Sequence, residues 1–265
     1  MEEGEGMSVT VGHILDLINE IAPPELAESY DNVGLLVGHP DWPVDRIMVA
    51  LDLTQGAVEE ARRNGAQLIV THHPIFFRGR KNIREDDPEG AAVCSLIRSG
   101  IAMIAAHTNF DNAPEGVNDA LARELGLEEI HTIGTGMRMG RLSESLTVSE
   151  FAGLVRNALG GSVRIYAERP DSAVERVAVC GGSGGSFWRI AAENGAQAFV
   201  TGEASYHDAL SAVASGLCMI ESGHYETEHI ALKLLADCLQ DKINAVQYNV
   251  YVDVSAHAPF WRFEG

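Results

Sequence analysis

The sequence predicts an α/β fold made of two similar lobes, and three observations predict it. Short β-branched runs alternate with helical patterns along nearly the whole chain, as expected of strands that return through crossover helices. Val44 to Thr71 lines up without gaps on Val174 to Thr201 at a constant offset of 130 residues, with Asn64-Gly65-Ala66-Gln67 recurring as Asn194-Gly195-Ala196-Gln197 and Val70-Thr71 as Val200-Thr201. The length of 265 residues, 46% apolar and 22% charged, is enough for one large or two modest hydrophobic cores and is ordinary globular usage. The expected division is residues 1–127 and 128–265, with a largely parallel sheet in each lobe. The other reading of the repeat is two unrelated turns that both use Asn-Gly as a helix stop.

In chain order the expected strands are Val33 to Val37, Arg46 to Leu51, Gln67 to Val70, Ile101 to Ala106, Val163 to Tyr166, Arg176 to Cys180, Gln197 to Val200 and Leu217 to Ile220, with helices between them. The clearest helix start is Thr147-Val148-Ser149-Glu150, a capping box, and Gly160-Gly161 supplies the stop. Pro114 suits the first turn of a helix carrying Val117 to Leu125. Val246, Tyr248, Val250, Val252 and Val254 alternate with polar or exposed-type residues, which predicts a strand with one buried face that closes a sheet. The aromatic tail, Pro259-Phe260-Trp261-Arg262-Phe263, is expected to dock on the body of the chain or on another subunit.

A formal net charge of −19 disfavours extended nucleic-acid binding, which draws most of its free energy from Lys and Arg displacing counterions. A small anionic substrate stays open, because bound cations can dominate the field inside a site. Cys94, Cys180, Cys218 and Cys238 have no CxxC spacing and read as free thiols in a reducing compartment. The acidic start of the chain is unlike a signal peptide and no run approaches membrane-spanning length, so a cytoplasmic location is expected.

Chemistry concentrates at strand ends. Thr71-His72-His73-Pro74 sits where the run Gln67 to Val70 gives way to a loop, and two adjacent imidazoles there suit a metal. Neighbouring strand residues point to opposite sides, so both histidines can share a site only if the strand breaks at that point, as Pro74 favours. His107-Thr108-Asn109-Phe110-Asp111 and His224-Tyr225-Glu226-Thr227-Glu228 follow other strand ends, the second placing a histidine and a glutamate on one helical face. The metal set is therefore His72, His73, Asp111, His224 and Glu228, with His107 as a sixth ligand, a buried histidine or, the favoured reading, a partner that orients a ligand. Asp111 could instead cap the next helix. This donor set suits two divalent ions drawn from Zn, Mn, Fe, Co or Ni with N/O ligation. Glu203 and His207 follow the strand equivalent to the one before His72-His73, so they are candidates for acid–base or substrate-orienting roles. Gly181-Gly182-Ser183-Gly184-Gly185 contains a literal G-x-S-x-G; a backbone nest or a tight turn is favoured there over a nucleophilic Ser183 paired with His224 or His229.

These ordered motifs, from Tyr30-Asp31-Asn32-Val33-Gly34-Leu35 through Thr71-His72-His73-Pro74, His107 to Asp111, Gly116-Val117-Asn118, Gly181 to Phe187 and Gly223 to Glu228, resemble the GTP cyclohydrolase I type 2 homologue family, also called NGG-interacting-factor-like. The resemblance spans nearly the whole chain and is to the short form, without the insert some members carry between the lobes. It implies two α/β lobes, a dinuclear metal centre in the cleft between them, the same five ligand residues, and toroidal homohexamers. The expected function is a metal-dependent hydrolase acting on a nucleotide, or other small phosphorylated substrate, through a metal-bound hydroxide. The alternative is a metal-binding oligomeric scaffold or partner-interaction protein with little catalysis.

Overall fold

The computed structural model describes residues 8–257. In chain order its elements are α1 (Val11–Ile21), β1 (Gly34–Val37), β2 (Arg46–Ala50), α2 (Gln55–Asn64), β3 (Leu68–Thr71), α3 (Pro88–Ser99), β4 (Ala102–Ala105), α4 (Thr108–Asn112), α5 (Val117–Glu124), β5 (Glu128–Ile133), β6 (Met137–Thr147), α6 (Val148–Leu159), β7 (Arg164–Tyr166), β8 (Ala173–Cys180), α7 (Trp188–Glu193), β9 (Ala198–Thr201), α8 (Tyr206–Ala214), β10 (Cys218–Glu221), α9 (His224–Glu228), α10 (Ile230–Ala245) and β11 (Tyr251–Val254). The predicted α/β class holds, and the described residues form two compact units, 8–110 with 232–257, and 111–231. This differs from the expected division after residue 127. The chain crosses over within α4, and its last segment rejoins the first unit because β11 pairs in parallel with β2.

The first unit holds a five-stranded sheet in the order β1-β4-β3-β2-β11. It is parallel except for β1, which runs antiparallel to β4. Met48, Ile69 and Met103 on one face pack with Val58 of α2 and Val93 and Leu96 of α3. Thr54 caps α2 by accepting from the Ala57 amide, and Gly65 ends it at φ +70°, a left-handed conformation in which glycine avoids the Cβ clash.

The second unit holds a six-stranded sheet in the order β5-β6-β8-β9-β10-β7. Only β8, β9 and β10 are mutually parallel, so the expectation of a largely parallel sheet fails here. The β5-β6 hairpin was not foreseen: its turn uses Gly134 and Gly136 at positive φ, while much of β5 and the outer half of β6 are exposed and polar, which hides the alternation. Both faces of the parallel strands are covered. Val177, Val179, Val200 and Ile220 pack with Phe151 and Val155 of α6, while Ala178, Phe199 and Met219 pack with Ala209 and Ala212 of α8. Strands buried on both faces read as continuous apolar runs, which is why these were legible. The Thr147–Glu150 capping box forms as expected, and Gly160 ends α6 at φ +75°.

The internal repeat is structural. β2 pairs with β3 from Ile47–Leu68 to Ala50–Thr71, and β8 pairs with β9 from Val177–Ala198 to Cys180–Thr201, each pair displaced by the same 130 residues. The side chain of Gln67 accepts from the amides of Asp45 and Arg46, and Gln197 does the same for Glu175 and Arg176. Shared register and shared side-chain bonds exclude two unrelated helix stops.

Two expectations near the C-terminus change. α10 continues to Ala245, and the strand is confined to Tyr251–Val254 at the sheet edge, with Tyr251 and Val254 exposed. An edge strand can alternate in sequence without burying a face. The Gln240 side chain supplies the missing partner, donating to the Val250 carbonyl and accepting from the Val252 amide. The tail Pro259 to Phe263 lies outside the described residues. No helix among the described residues is long and apolar enough to cross a membrane.

Candidate metal centre

In the first unit the strand β3 ends at Thr71, and the chain turns so that the amides of His72 and His73 donate to the carbonyls of Ala50 and Leu51. The Thr71 hydroxyl donates to the His73 carbonyl at 2.7 Å and tightens the turn. Both imidazoles thereby reach the same side, their ring centroids 5.1 Å apart. His107, just beyond β4, brings a third ring to 5.1 Å from His72 and 5.5 Å from His73. One ligand atom from each of the three lies within 4.8 Å of the others.

Each ring is held through Nδ1 by an oxygen: His72 by the Ala106 carbonyl at 2.9 Å, His73 by Asp52 at 2.8 Å and His107 by Asp31 at 2.8 Å. A carbonyl or a carboxylate can only accept, so Nδ1 carries a proton in all three, and Nε2 is the nitrogen left to offer a lone pair when the ring binds a metal. That arrangement prepares histidine for a metal, with the outer oxygen fixing tautomer and ring angle. Burial opposes charge on Asp31, but hydrogen bonds from the His107 ring and from the Thr108 hydroxyl and amide outweigh it and hold its pKa well below the usual carboxylate range.

In the second unit His224 and Glu228 occupy one turn of α9, with Nε2 and Oε2 3.1 Å apart and Glu228 buried. Thr227 between them is buried, and its hydroxyl accepts from the Gly182 amide at 3.1 Å. Gly182 sits at φ +58°, and a Cβ there would lie 2.2 Å from Glu228 Oε1. The glycine stretch after β8 therefore leaves space for the Glu228 carboxylate. It is followed by a short 3-10 turn, Gly184–Phe187.

Asp111 lies on α4. Asn118 donates to its carbonyl at 3.4 Å and accepts from the Gly181 amide at 2.8 Å, so one buried amide side chain joins the Asp111 backbone to the glycine stretch. The buried Arg138 donates to the carbonyls of Asn112 and Ala113 and pairs with Asp119 at 2.8 Å. Pro114 precedes α5, whose N-cap is Gly116.

Glu203 begins the loop after β9, where its carboxylate accepts from the Ser183 hydroxyl at 2.6 Å and lies 3.4 Å from His224 Nδ1. The Ser183 bond lowers the Glu203 pKa most, burial opposes it, and His224 adds to the lowering, so Glu203 is a carboxylate at neutral pH. Beside it opens a cavity of about 490 Å³ lined by Ser183, Ser186, Ser205, Glu203, Asp208 and Glu221, with no basic residue. His207 stands exposed on α8 with its ring against Tyr206, and among the described residues it touches neither Glu203 nor His224. The Ser183 hydroxyl lies 3.5 Å from His224 Nδ1 but donates over the shorter 2.6 Å to the Glu203 carboxylate, so its proton is directed to the carboxylate and not to the imidazole, whose Nε2 faces Glu228. His229 stacks on Tyr225. Cys180 and Cys218 are buried free thiols, as expected, and burial pushes Cys218 up to about 12.

Residues 9–259 match the Duf34/NIF3 (NGG1p interacting factor 3) family. The chain belongs to the Duf34/NIF3 family. A Clostridium perfringens relative named GTP cyclohydrolase 1 type 2 homolog is 32% identical over 93% of this chain and 97% of its own length. Schizosaccharomyces pombe protein NIF3 homolog is 34% identical over 82% of this chain and 84% of its own. The crystal structure of a Bacillus cereus protein related to NIF3 superposes with a TM-score of 0.90 at 25% identity, covering 96% of this chain and 99% of that one. The Duf34/NIF3 assignment agrees with the motifs that first carried the resemblance.

For His107 the sequence favours an orienting role and leaves a sixth ligand open; its ring stands with His72 and His73 in one cluster that could hold a metal, in line with the second reading. Asp31, Asp52, Asn118 and Arg138 were not singled out as site residues. Asp52 had a usable signal, a carboxylate just past the end of β2 in a parallel sheet, where functional groups gather. Asn118 stands in the Gly116-Val117-Asn118 motif, but its partners are backbone groups of Asp111 and Gly181; Arg138 had no signal, because it meets Asp119 and the carbonyls of Asn112 and Ala113 only on folding.

Proposed function

We propose that this Duf34/NIF3 protein is a dinuclear metal-dependent hydrolase whose substrate is a nucleotide or other small phosphorylated compound. The carrying observation is the trio His72, His73 and His107, each with Nδ1 tied to an oxygen so that Nε2 is the nitrogen left for a metal. In this reading His72, His73, Asp111, His224 and Glu228 hold two divalent ions, with His107 added to the set. Zn, Mn, Fe, Co and Ni all suit these N/O donors. The bound ions would supply Lewis acidity and a water acidified toward neutral pH.

The chain's own groups then have separate roles. Asp52 and Asp31 keep His73 and His107 in the Nδ1–H form. Glu203, held as a carboxylate by Ser183, accepts a proton from the attacking water and is oriented by His224. His207, exposed on α8 beside Tyr206, is assigned no step in this reading. The carboxylate-lined cavity beside Glu203 repels phosphate, so an anionic substrate depends on the cations for attraction. Relatives that carry the cyclohydrolase name make GTP the first compound to try. The cytosol and a homohexameric assembly belong to the same reading, the latter measurable by light scattering.

The test is metal removal followed by reconstitution with each of the five ions, metal analysis, and turnover of a panel of nucleotides and phosphoesters. His72→Ala and Glu228→Gln serve as controls. Metal-dependent turnover lost in both variants supports the hydrolase. Metal-replete protein inert across the panel contradicts it and favours a metal-binding scaffold.

A further inference from the structure

Two exposed aromatic rings stand beside the histidine trio. Tyr30 is 62% exposed and Phe77 46%, and their centroids lie 5.9 Å apart. Phe77 meets the His107 ring edge-on, at 6.0 Å and 81°. The pair is held in place by the bonds that fix the site. Asp31, next to Tyr30, binds the His107 ring and the Thr108 amide and hydroxyl, while Asn32 donates to the Phe76 carbonyl at 2.7 Å. The segment carrying Tyr30 is thereby fastened on one side to His107 and on the other to the residue before Phe77.

Phe77 also opens the most basic stretch of an acidic chain. Arg78, Arg80, Lys81 and Arg84 fall within seven residues, out of 19 Lys and Arg in all. Arg80 pairs with Asp87 and Glu89, and Arg84 with Asp86. Arg78 and Lys81 are exposed and have no ion-pair partner among the described residues. An aromatic step next to metal-ligand histidines, followed at once by uncommitted cations, matches a ligand with a flat conjugated ring at one end and phosphate at the other.

We propose that Tyr30 and Phe77 form the stacking wall for the base of a nucleotide, and that Arg78 and Lys81 receive its phosphate. The proposal rests on the preceding reading, that substrate is turned over at this histidine cluster, and it names the residues that select the substrate. Stacking on an aromatic side chain tolerates any base and loses roughly tenfold in affinity when one ring is removed. The cations add attraction that weakens as salt rises.

The experiment is calorimetric titration of the metal-loaded full chain with GMP, guanosine and ribose 5-phosphate. Wild type is expected to bind GMP more tightly than guanosine, and ribose 5-phosphate weakest. Tyr30→Ala and Phe77→Ala should each weaken GMP and guanosine by roughly tenfold while leaving metal content unchanged, with Tyr30→Phe restoring the affinity. Arg78→Ala with Lys81→Ala should weaken GMP and leave guanosine unchanged. The proposal is overturned if GMP shows no saturable binding, if ribose 5-phosphate binds as tightly as GMP, or if the aromatic variants bind guanosine like wild type. It is equally overturned if those variants change only the oligomeric state, which would make the pair a subunit contact. Base-selective binding without turnover would sink the hydrolase and leave this subsite standing. Turnover of simple phosphoesters with no preference for a base would do the reverse.

Discussion

The two copies of the βαβ repeat share a backbone and use their strand ends in opposite ways. In the first, β3 ends in His72-His73 and β2 ends beside Asp52, which supports the His73 ring. At the equivalent positions, 130 residues on, the second copy has Gly202, Glu203 and Gly182. A Cβ at Gly202 would lie 2.6 Å from the Gly182 carbonyl oxygen and 2.8 Å from the His224 Cα. The first copy places donors on the strand end, whereas the second removes side chains there so that α9 can approach with His224 and Glu228. Glycine thus decides which element supplies the chemistry while the hydrogen-bond register stays the same.

The two short helices that follow β4 and β10 differ as well. α9 is tied to the glycine stretch through Thr227, but the end of α4 depends on Arg138, whose charge is buried against Asp119. Replacing Arg138 by Met would leave Asp119 without its cation and free the carbonyls of Asn112 and Ala113. The expected loss is about 3–5 kcal/mol, read by denaturant unfolding, with metal affinity lowered through Asp111. A loss under about 1 kcal/mol would mean that α4 is held otherwise. Next in size is Gly202→Ala. Its clash is with backbone, so it should cost about 1–3 kcal/mol, and it should weaken metal binding by displacing α9. If Gly202→Ala is neutral in both, glycine is not what admits α9.

A smaller change sharpens the contrast at Asp52. Asp52→Asn keeps the size of the side chain but lets an amide face His73 Nδ1, so metal affinity should fall roughly 10–100-fold, with the metal-free fold melting as wild type. Titration with zinc and a competing chelator measures it, and an unchanged affinity would remove Asp52 from the site. The smallest effects test the shared frame. Gln67→Ala and Gln197→Ala each remove the same pair of amide contacts and should each cost about 1 kcal/mol, alike within about 0.5 kcal/mol. Clearly unequal costs would mean that the repeat survives in geometry and not in energetics.

The same contrast explains what was readable beforehand. The parallel strands, buried on both faces, announced themselves as apolar runs, and Asn-Gly-Ala-Gln marked the repeat because both Gln side chains make the same contacts. His72-His73 and the His224–Glu228 spacing were legible because residue type and local geometry coincide there. The β5-β6 hairpin was not, since its strands are half exposed and charged. The last strand was drawn too long because α10 ends only at Ala245 and Gln240 replaces a strand partner. Asp31, Asp52, Asn118 and Arg138 act through contacts made only on folding; Asp31 and Asn118 stand inside motifs that carry the resemblance, but their bonds to His107 and to the Gly181 amide join residues far apart in sequence.

The central claim is that histidines prepared by their Nδ1 partners join carboxylates around divalent ions. X-ray absorption on zinc-reconstituted protein, with the metal content of the same sample, tests it most directly. The expected result is two ions per chain in a first shell of nitrogen and oxygen with the outer-shell scattering of several imidazoles and no sulfur. Protein that holds no stoichiometric metal, or a spectrum dominated by sulfur, would contradict the account.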